Sequence, residues 1–132
     1  MITTQSGDYN LSVDAGAGAD GITVVGAQLE STDSIEGGAD TDTITLSDAG
    51  ATIVDADFTA IDNVEKFTTA NGANSLTLGT LADDSGLATV TGGTAVDTIN
   101  ASAFAGALTI SAGSGADAVS YTHLTLPTIC SV

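Results

Sequence analysis

The stretch that decides the fold is Ala15-Gly16-Ala17-Gly18-Ala19-Asp20-Gly21-Ile22-Thr23, a Gly-rich turn that ends in an aspartate and leads into an alternating apolar segment. It returns imperfectly in residues 37–45 (GGADTDTIT), and again around Asn74, Asp97 and Asp117. In each copy one apolar residue stands seven positions before the aspartate or asparagine, and another stands two positions after it. A pattern that returns in a constant register predicts a repeat architecture.

Each copy is predicted to form a strand, a tight turn and a second strand. Alternation of apolar and polar residues is typical of a strand with one buried face, and glycine permits the left-handed conformations of tight turns. The aligned positions are 22, 32, 23 and 20 residues apart. We attribute the longest spacing to an insertion around Asp48 to Asp57, which contains the short apolar piece Thr52-Ile53-Val54. Asp57-Phe58-Thr59-Ala60 is expected to begin a single helical turn.

These spacings predict an all-β fold, a parallel right-handed β-solenoid with Gly-Asp turns. Residues 1–10 would lead into it, and residues 11–118 would form the repeat region. A larger apolar residue in each connection is expected to fill the interior at a corner, namely Leu29, Phe58, Leu81 and Phe104. The alternative is a β-sandwich with Gly-Asp hairpins, which would explain the strands but not the constant spacing.

The composition is strongly acidic. The formal net charge is −16, with 14 Asp, three Glu and a single base, Lys66. Aspartate is favoured in turns and in oxygen-ligand cation sites, whereas this charge repels nucleic acid and anionic membranes. No apolar run approaches the roughly 20 residues of a membrane span. The expected partners are therefore cations and neighbouring repeats of the same chain.

The last fourteen residues differ from the rest of the chain. Residues 119–132 contain the only His, Cys and Pro, and they contain no Gly, Ala or Asp. This segment resembles the translated read-through of a sequencing adapter, so we expect a non-native tail after residue 118. Without it the chain has no Cys or His, which excludes disulfides and thiolate or imidazole metal sites.

The turns resemble the calcium-binding nonapeptide of the RTX (repeats-in-toxin) family, Gly-Gly-x-Gly-x-Asp-x-apolar-x. Residues 15–23 depart from it only at the first position. In residues 37–45 Asp40 replaces the third glycine, and aspartate tolerates the left-handed conformation. Ala95 takes that place in residues 92–100, and Asn74 replaces the charged residue in the fifth copy.

This resemblance implies a calcium-binding structural segment of a secreted or cell-surface bacterial protein, of surface-layer or adhesin type. Cell-surface or matrix polymers are further possible partners. The ligand positions it implies are Asp20, Asp42, Asp97, Asp117, Asp40, Asn74, Gly16, Gly18, Gly37, Gly38, Gly92, Gly93 and Gly115.

A physical argument from the aspartates also favours a cation. If the repeats stack, successive turns lie about 4.8 Å apart, the spacing of β-strands in a sheet. Two carboxylates about 5 Å apart repel by roughly 3 kcal/mol at an effective dielectric constant near 20. One column containing Asp20, Asp42, Asp97 and Asp117 would therefore be costly unless it were fanned into water or bridged by Ca²⁺, which takes six to eight oxygen ligands.

Two other functions remain open from the sequence. A polysaccharide-acting enzyme would have only Lys66 as a base and the adjacent pair Asp83-Asp84 as an acid and base, so we expect no catalysis. A metal-independent acidic scaffold is the other alternative. Its interaction surface would be a threonine ladder that includes Thr41, Thr43, Thr45, Thr89 and Thr91.

Overall fold

The computed structural model describes residues 1–3 and 10–122, and these form thirteen short strands with three short helices. The strands are β1 Ile2–Thr3, β2 Ser12–Asp14, β3 Gly21–Val24, β4 Ser34–Glu36, β5 Thr43–Leu46, β6 Thr52–Ile53, β7 Ile61–Asp62, β8 Lys66–Thr68, β9 Ser75–Thr77, β10 Thr89–Thr91, β11 Thr98–Ala101, β12 Thr109–Ser111 and β13 Ala118–Tyr121. Two 3₁₀ helices span Gly26–Gln28 and Asp55–Phe58, and the helix α1 spans Thr80–Asp84.

The strands make three parallel sheets. The six-stranded sheet has the order β1-β3-β5-β8-β10-β12, the four-stranded sheet β13-β11-β9-β6, and the three-stranded sheet β2-β4-β7. Every pairing between the described strands is parallel. The all-β prediction is therefore confirmed. The described strands do not form the antiparallel hairpins that the β-sandwich alternative requires.

The chain contributes strands to the three-stranded, the six-stranded and the four-stranded sheet in that order, and the order then repeats. We call one such round through the three sheets a passage. The second passage, for example, contributes β4 to the three-stranded sheet, β5 to the six-stranded sheet and β6 to the four-stranded sheet. The next passage contributes β7, β8 and β9 in the same order. Pairing joins residues about one passage apart, as in Ile22 with Ile44 and Ile44 with Phe67.

The core lies between the sheets and consists of one or two inward side chains from nearly every strand. Ile22, Ile44, Phe67, Val90 and Ile110 form a continuous row across the six-stranded sheet and are at most 1% exposed. Alternation along each strand turns the flanking threonines, serines and Lys66 outward, as predicted. The connections add the buried side chains Leu29, Phe58 and Phe104, also as predicted, whereas Leu81 is only partly buried.

Two sequence expectations about the long spacing are wrong. Thr52–Ile53 is not part of an insertion, because it forms β6 and pairs in register with Ser75 and Leu76. The residue paired with Ile44 is Phe67, which stands seven before Asn74, and not Leu76, which stands two after it. The Gly-rich turns therefore change position between the second and third passages, and the five copies do not stack in one column.

The end of the described chain bears on the predicted tail. Val119 and Tyr121 lie in β13, pair with Ile99 and Ala101 of β11, and pack partly buried against the core. The remainder of the predicted tail, residues 123–132, lies outside the described residues.

Candidate cation-binding turns

The Gly-rich turns occupy two different corners of the fold. The connection from the three-stranded to the six-stranded sheet is called the first corner, and it contains the turns at residues 15–20 and 37–42. The second corner is the connection from the six-stranded to the four-stranded sheet, which holds the turns at residues 69–74, 92–97 and 112–117. The predicted ligand residues are therefore divided into two sets.

The first corner has the backbone conformation that the repeat predicts. Gly16 and Gly38 stack with φ of +90° and +102°, followed by Gly18 and Asp40 with φ of +109° and +79°. Asp40 thus adopts the left-handed conformation expected where it replaces glycine. Gly37 has a different constraint, since a Cβ there would collide with the Asn63 carbonyl oxygen and lie 2.9 Å from Asp42 Oδ2.

Carboxylates of the first corner accept backbone hydrogen bonds from the preceding passage. The Asp20 amide donates to Asp42 Oδ1 at 2.7 Å, and the Asp42 amide donates to Glu65 Oε2 at 2.8 Å. Asp20 Oδ1 in turn lies 3.9 Å from the amino group of Met1. The first column is therefore Asp20, Asp42 and Glu65, three acidic residues in succession.

Asp42 is the least satisfied member of this column. Its side chain is 0% exposed, and its Oδ2 atom has no hydrogen-bond partner. A buried carboxylate oxygen normally has a donor or a cation beside it, because leaving it bare costs its lost hydration. Among the described residues, no donor reaches the carbonyls of Gly38 and Asp40, four and two positions before Asp42.

At the second corner, the side-chain oxygen and nitrogen of Asn74 both have hydrogen-bond partners, and the residue is 3% exposed. Its Oδ1 accepts the Ala51 amide at 3.1 Å. Its Nδ2 donates to the carbonyls of Ala70 and Gly72 at 2.9 and 2.6 Å, and to Asp97 Oδ1 at 3.1 Å. The residue that the repeat places at a ligand position is here saturated by the protein itself.

Asp97 shows a third arrangement. Oδ1 accepts the Asn74 backbone amide at 2.9 Å as well as Asn74 Nδ2, and Oδ2 accepts the Gly93 amide at 3.1 Å. Gly113, one passage later, has a φ of +89°, whereas Gly93 and Ala95 are not left-handed. Alanine rarely adopts that conformation, so Ala95 accounts for the absence of a left-handed residue at its own position.

The last predicted ligands lie in the turn at residues 112–117. Asp117 Oδ1 accepts the Asp97 amide at 2.9 Å, and Gly115 is left-handed with a φ of +155°. Gly92 stands where Gly37 does in its own turn, and a Cβ there would collide with the Ala112 carbonyl oxygen. The second column is therefore Asn74, Asp97 and Asp117.

Several acidic residues outside the aligned repeat positions also accept hydrogen bonds from backbone amides of a neighbouring passage. Asp33 accepts the Leu11 amide at 2.8 Å and the Glu30 amide at 2.9 Å, and Asp48 accepts the Gly26 amide. Asp55 accepts the amides of Gly79 and Ala82, at 2.7 and 2.9 Å, at the start of α1. An alignment on the turn aspartates could not find these residues or Glu65. Their signal is a spacing of one passage from the amide they accept.

Asp57 has a perturbed titration. Burial raises the pKa of its carboxyl above the ordinary value of 3.8, the nearby Asp33 carboxylate adds to the rise, and the hydrogen bond from the Val54 amide opposes it. That hydrogen bond is 2.9 Å long. Ionised Asp57 is therefore a cost to the folded state.

The side chains alone do not make a metal centre. Within residues 1–3 and 10–122, no three His, Cys, Asp or Glu side chains come together as a group that could hold an ion. A cation at the first corner would consequently depend on backbone carbonyls for most of its ligands. Calcium accepts such ligands readily.

Comparison with known proteins adds no assignment. The chain matches no protein-family model, no curated protein and no solved structure. Among the described residues, no helix is long and apolar enough to cross a membrane.

Proposed function

We propose that this chain is a calcium-binding structural repeat segment of a secreted or cell-surface bacterial protein, of the surface-layer or adhesin type. In this proposal the passages are the coils of a right-handed parallel β-solenoid. The support for that architecture is the regular pairing of residues 20 to 26 positions apart in three parallel sheets. The extracellular location and the family rest on the RTX-like turn sequences.

The observation that carries the calcium proposal is the bare Oδ2 atom of Asp42. It is buried, it has no donor, and it lies in a turn whose carbonyls at Gly38 and Asp40 accept no hydrogen bond from the described residues. A divalent cation beside Asp42 would give Oδ2 the partner that it lacks. Calcium suits the position better than Mg²⁺, since Mg²⁺ demands a strict octahedron and retains most of its water.

The remaining predicted ligands have unequal standing in this proposal. Asp20 and Asp40 lie at the same corner as Asp42 and could add oxygen ligands, whereas Asp97 and Asn74 already use their polar side-chain atoms within the protein. We therefore place calcium first at residues 37–42. Asp117 is half-buried at the second corner and stays a secondary candidate.

A metal-independent scaffold is the second candidate function. It is supported by the carboxylate-to-amide hydrogen bonds, which already join successive passages without any ion. Its binding surface would be the outer face of the six-stranded sheet, whose outward rows contain Thr43, Thr45, Thr89 and Thr91 and no acidic residue. Thr41, by contrast, lies in the turn before β5.

Catalysis is not part of the proposal. Lys66 is exposed on the six-stranded sheet, and Asp83 and Asp84 are consecutive residues at the end of α1. Neighbours on a helix point about 100° apart, which does not set two carboxyls across one bond. Incubation with acidic and neutral polysaccharides should release no reducing or unsaturated ends. Turnover that Lys66→Ala or Asp83→Ala abolishes would refute the proposal.

The calcium proposal is tested by thermal unfolding in a chelator, then with millimolar Ca²⁺, Mg²⁺ or NaCl at matched ionic strength. Calcium should raise Tm with a half-effect at roughly 10⁻⁴ to 10⁻³ M, the range of extracellular modules, because it binds the folded form. Magnesium should do much less. The Asp42→Ala variant should lose most of the calcium response, and the exposed Asp84→Ala variant should keep it.

Two results would reject this assignment. Sodium chloride acting as strongly as calcium would indicate general screening of the −16 charge. Equal calcium responses in the Asp42→Ala and Asp84→Ala variants would show that the turn ligand position is not used. Either result would favour the metal-independent scaffold.

A further inference from the structure

The turns at residues 69–74 and 37–42 each end in a buried residue of the same size, Asn74 in one and Asp42 in the other, and these two side chains differ in one atom type. We propose, building on the calcium proposal, that the turn at residues 69–74 is a cation-independent form of the calcium turn in which the Asn74 side-chain amide takes the place of the ion. Asn74 and Asp97 would then need no calcium, and the calcium dependence of the chain would reside mainly in the first column.

The orientation of the Asn74 side chain follows from its neighbours. Oδ1 meets the Ala51 amide, which can only donate, at 3.1 Å. Nδ2 meets the carbonyls of Ala70 and Gly72 and the Asp97 carboxylate, which only accept, at 2.9, 2.6 and 3.1 Å. An amide nitrogen has two hydrogens to donate. Three oxygens from two passages thus converge on one NH2 group, whose two hydrogens carry partial positive charge.

Convergence of carbonyl and carboxylate oxygens is the kind of environment that a bound Ca²⁺ requires. At the first corner the chain places an oxygen where Asn74 has the nitrogen. Asp42 Oδ1 accepts the amide of the preceding passage, as Asn74 Oδ1 does, and Asp42 Oδ2 is the atom without a partner. Asp42 Oδ2 meets no donor, so a cation beside it would supply the positive charge that the hydrogens of Asn74 Nδ2 supply in their own turn.

The substitution also changes the charge of the column. Asp42 stands between Asp20 and Glu65, whereas Asn74 places a neutral side chain before Asp97 and donates to it. The first column accumulates like charges that repel, and the second has one fewer and an added hydrogen bond. Both differences make the second column the more stable one in the absence of an ion.

The test is the Asn74→Asp substitution, which preserves side-chain size and replaces the nitrogen with an oxygen. In a chelator the variant should melt about 5–10 °C below wild type, since it loses the amide hydrogen bonds and adds a charge beside Asp97. Millimolar Ca²⁺ should recover most of that loss, so that the calcium-induced rise in Tm exceeds that of wild type. The Asn74→Ala variant should melt low with or without calcium, because it provides no ligand.

Four outcomes separate this inference from the calcium proposal on which it builds. A calcium gain in Asn74→Asp that exceeds the wild-type gain supports the inference, even if wild type itself does not respond. A wild-type response with no larger response in Asn74→Asp overturns the inference and leaves the first-corner site standing. An Asn74→Asp variant as stable as wild type in chelator also overturns it. Equal rescue of Asn74→Asp and Asn74→Ala would mean that calcium acts elsewhere, and this too overturns it.

Discussion

The two columns of turn residues are built from similar sequences and differ in how each buried polar side chain is satisfied. In the first column Asp42 offers two oxygens and meets one donor. In the second column Asn74 and Asp97 have partners for every side-chain oxygen and nitrogen. A repeat that departs from the consensus sequence is therefore not simply a copy with poorer ligands for an ion. The replacement Asn74 brings its own hydrogen bonds, which in our proposal take the place of an ion.

The largest expected effect is at Asp97. Asp97→Ala removes the acceptor of three hydrogen bonds at a fully buried position, so we expect a loss of about 3–5 kcal/mol in unfolding free energy. Asp42→Ala removes the acceptor of one, and in chelator should cost only about 1–2 kcal/mol. Urea unfolding in chelator measures both. Equal losses would contradict the difference between the columns.

Part of this organisation can be predicted from the sequence. The strand-turn-strand unit, the inward rows and the left-handed Asp40 follow from alternation and from glycine and aspartate chemistry. The change of corner does not, because Phe67 and Leu76 are both apolar and either would fill the position beside Ile44. The choice between Phe67 and Leu76 depends on how many residues the chain needs to contribute one strand to each of the three sheets.

The roles of individual polar atoms were also beyond the sequence. Glu65 completes the first column, but an alignment on aspartate and asparagine passes over a glutamate. Asn74 was assigned as a ligand position, and the pattern could not indicate that its amide is fully occupied. Asp33, Asp55 and Asp57 lie in connections whose lengths vary, so no register singles them out.

A smaller effect is expected at Asp57, away from both columns. Its pKa is raised by burial, so its ionisation opposes folding. The associated stability is present below the ordinary pKa of 3.8 and is lost as pH rises through the higher folded value. Asp57→Asn keeps an acceptor for the Val54 amide and should raise Tm by about 1–4 °C at pH 7 and by almost nothing near pH 3.

The exposed Asp62 on β7 provides the control for this change. Asp62→Asn removes the same formal charge without relieving a buried carboxyl, so its effect on Tm should be smaller at pH 7. If the two variants gain equally at pH 7, the gain at Asp57 reflects only the reduced net charge. A gain at Asp57 that persists near pH 3 would also contradict the assigned cause.

The most direct test of the central claim is amide hydrogen exchange at Asp20 and Asn74, whose N–H groups donate to Asp42 and Asp97. In chelator the Asp20 amide should exchange at least about tenfold faster than the Asn74 amide, because local opening is easier where a buried carboxylate lacks a partner. Calcium at ten times its Kd should slow Asp20 exchange by about tenfold and narrow the difference. Equal protection of the two amides in chelator, or a calcium effect greater at Asn74 than at Asp20, would contradict the account.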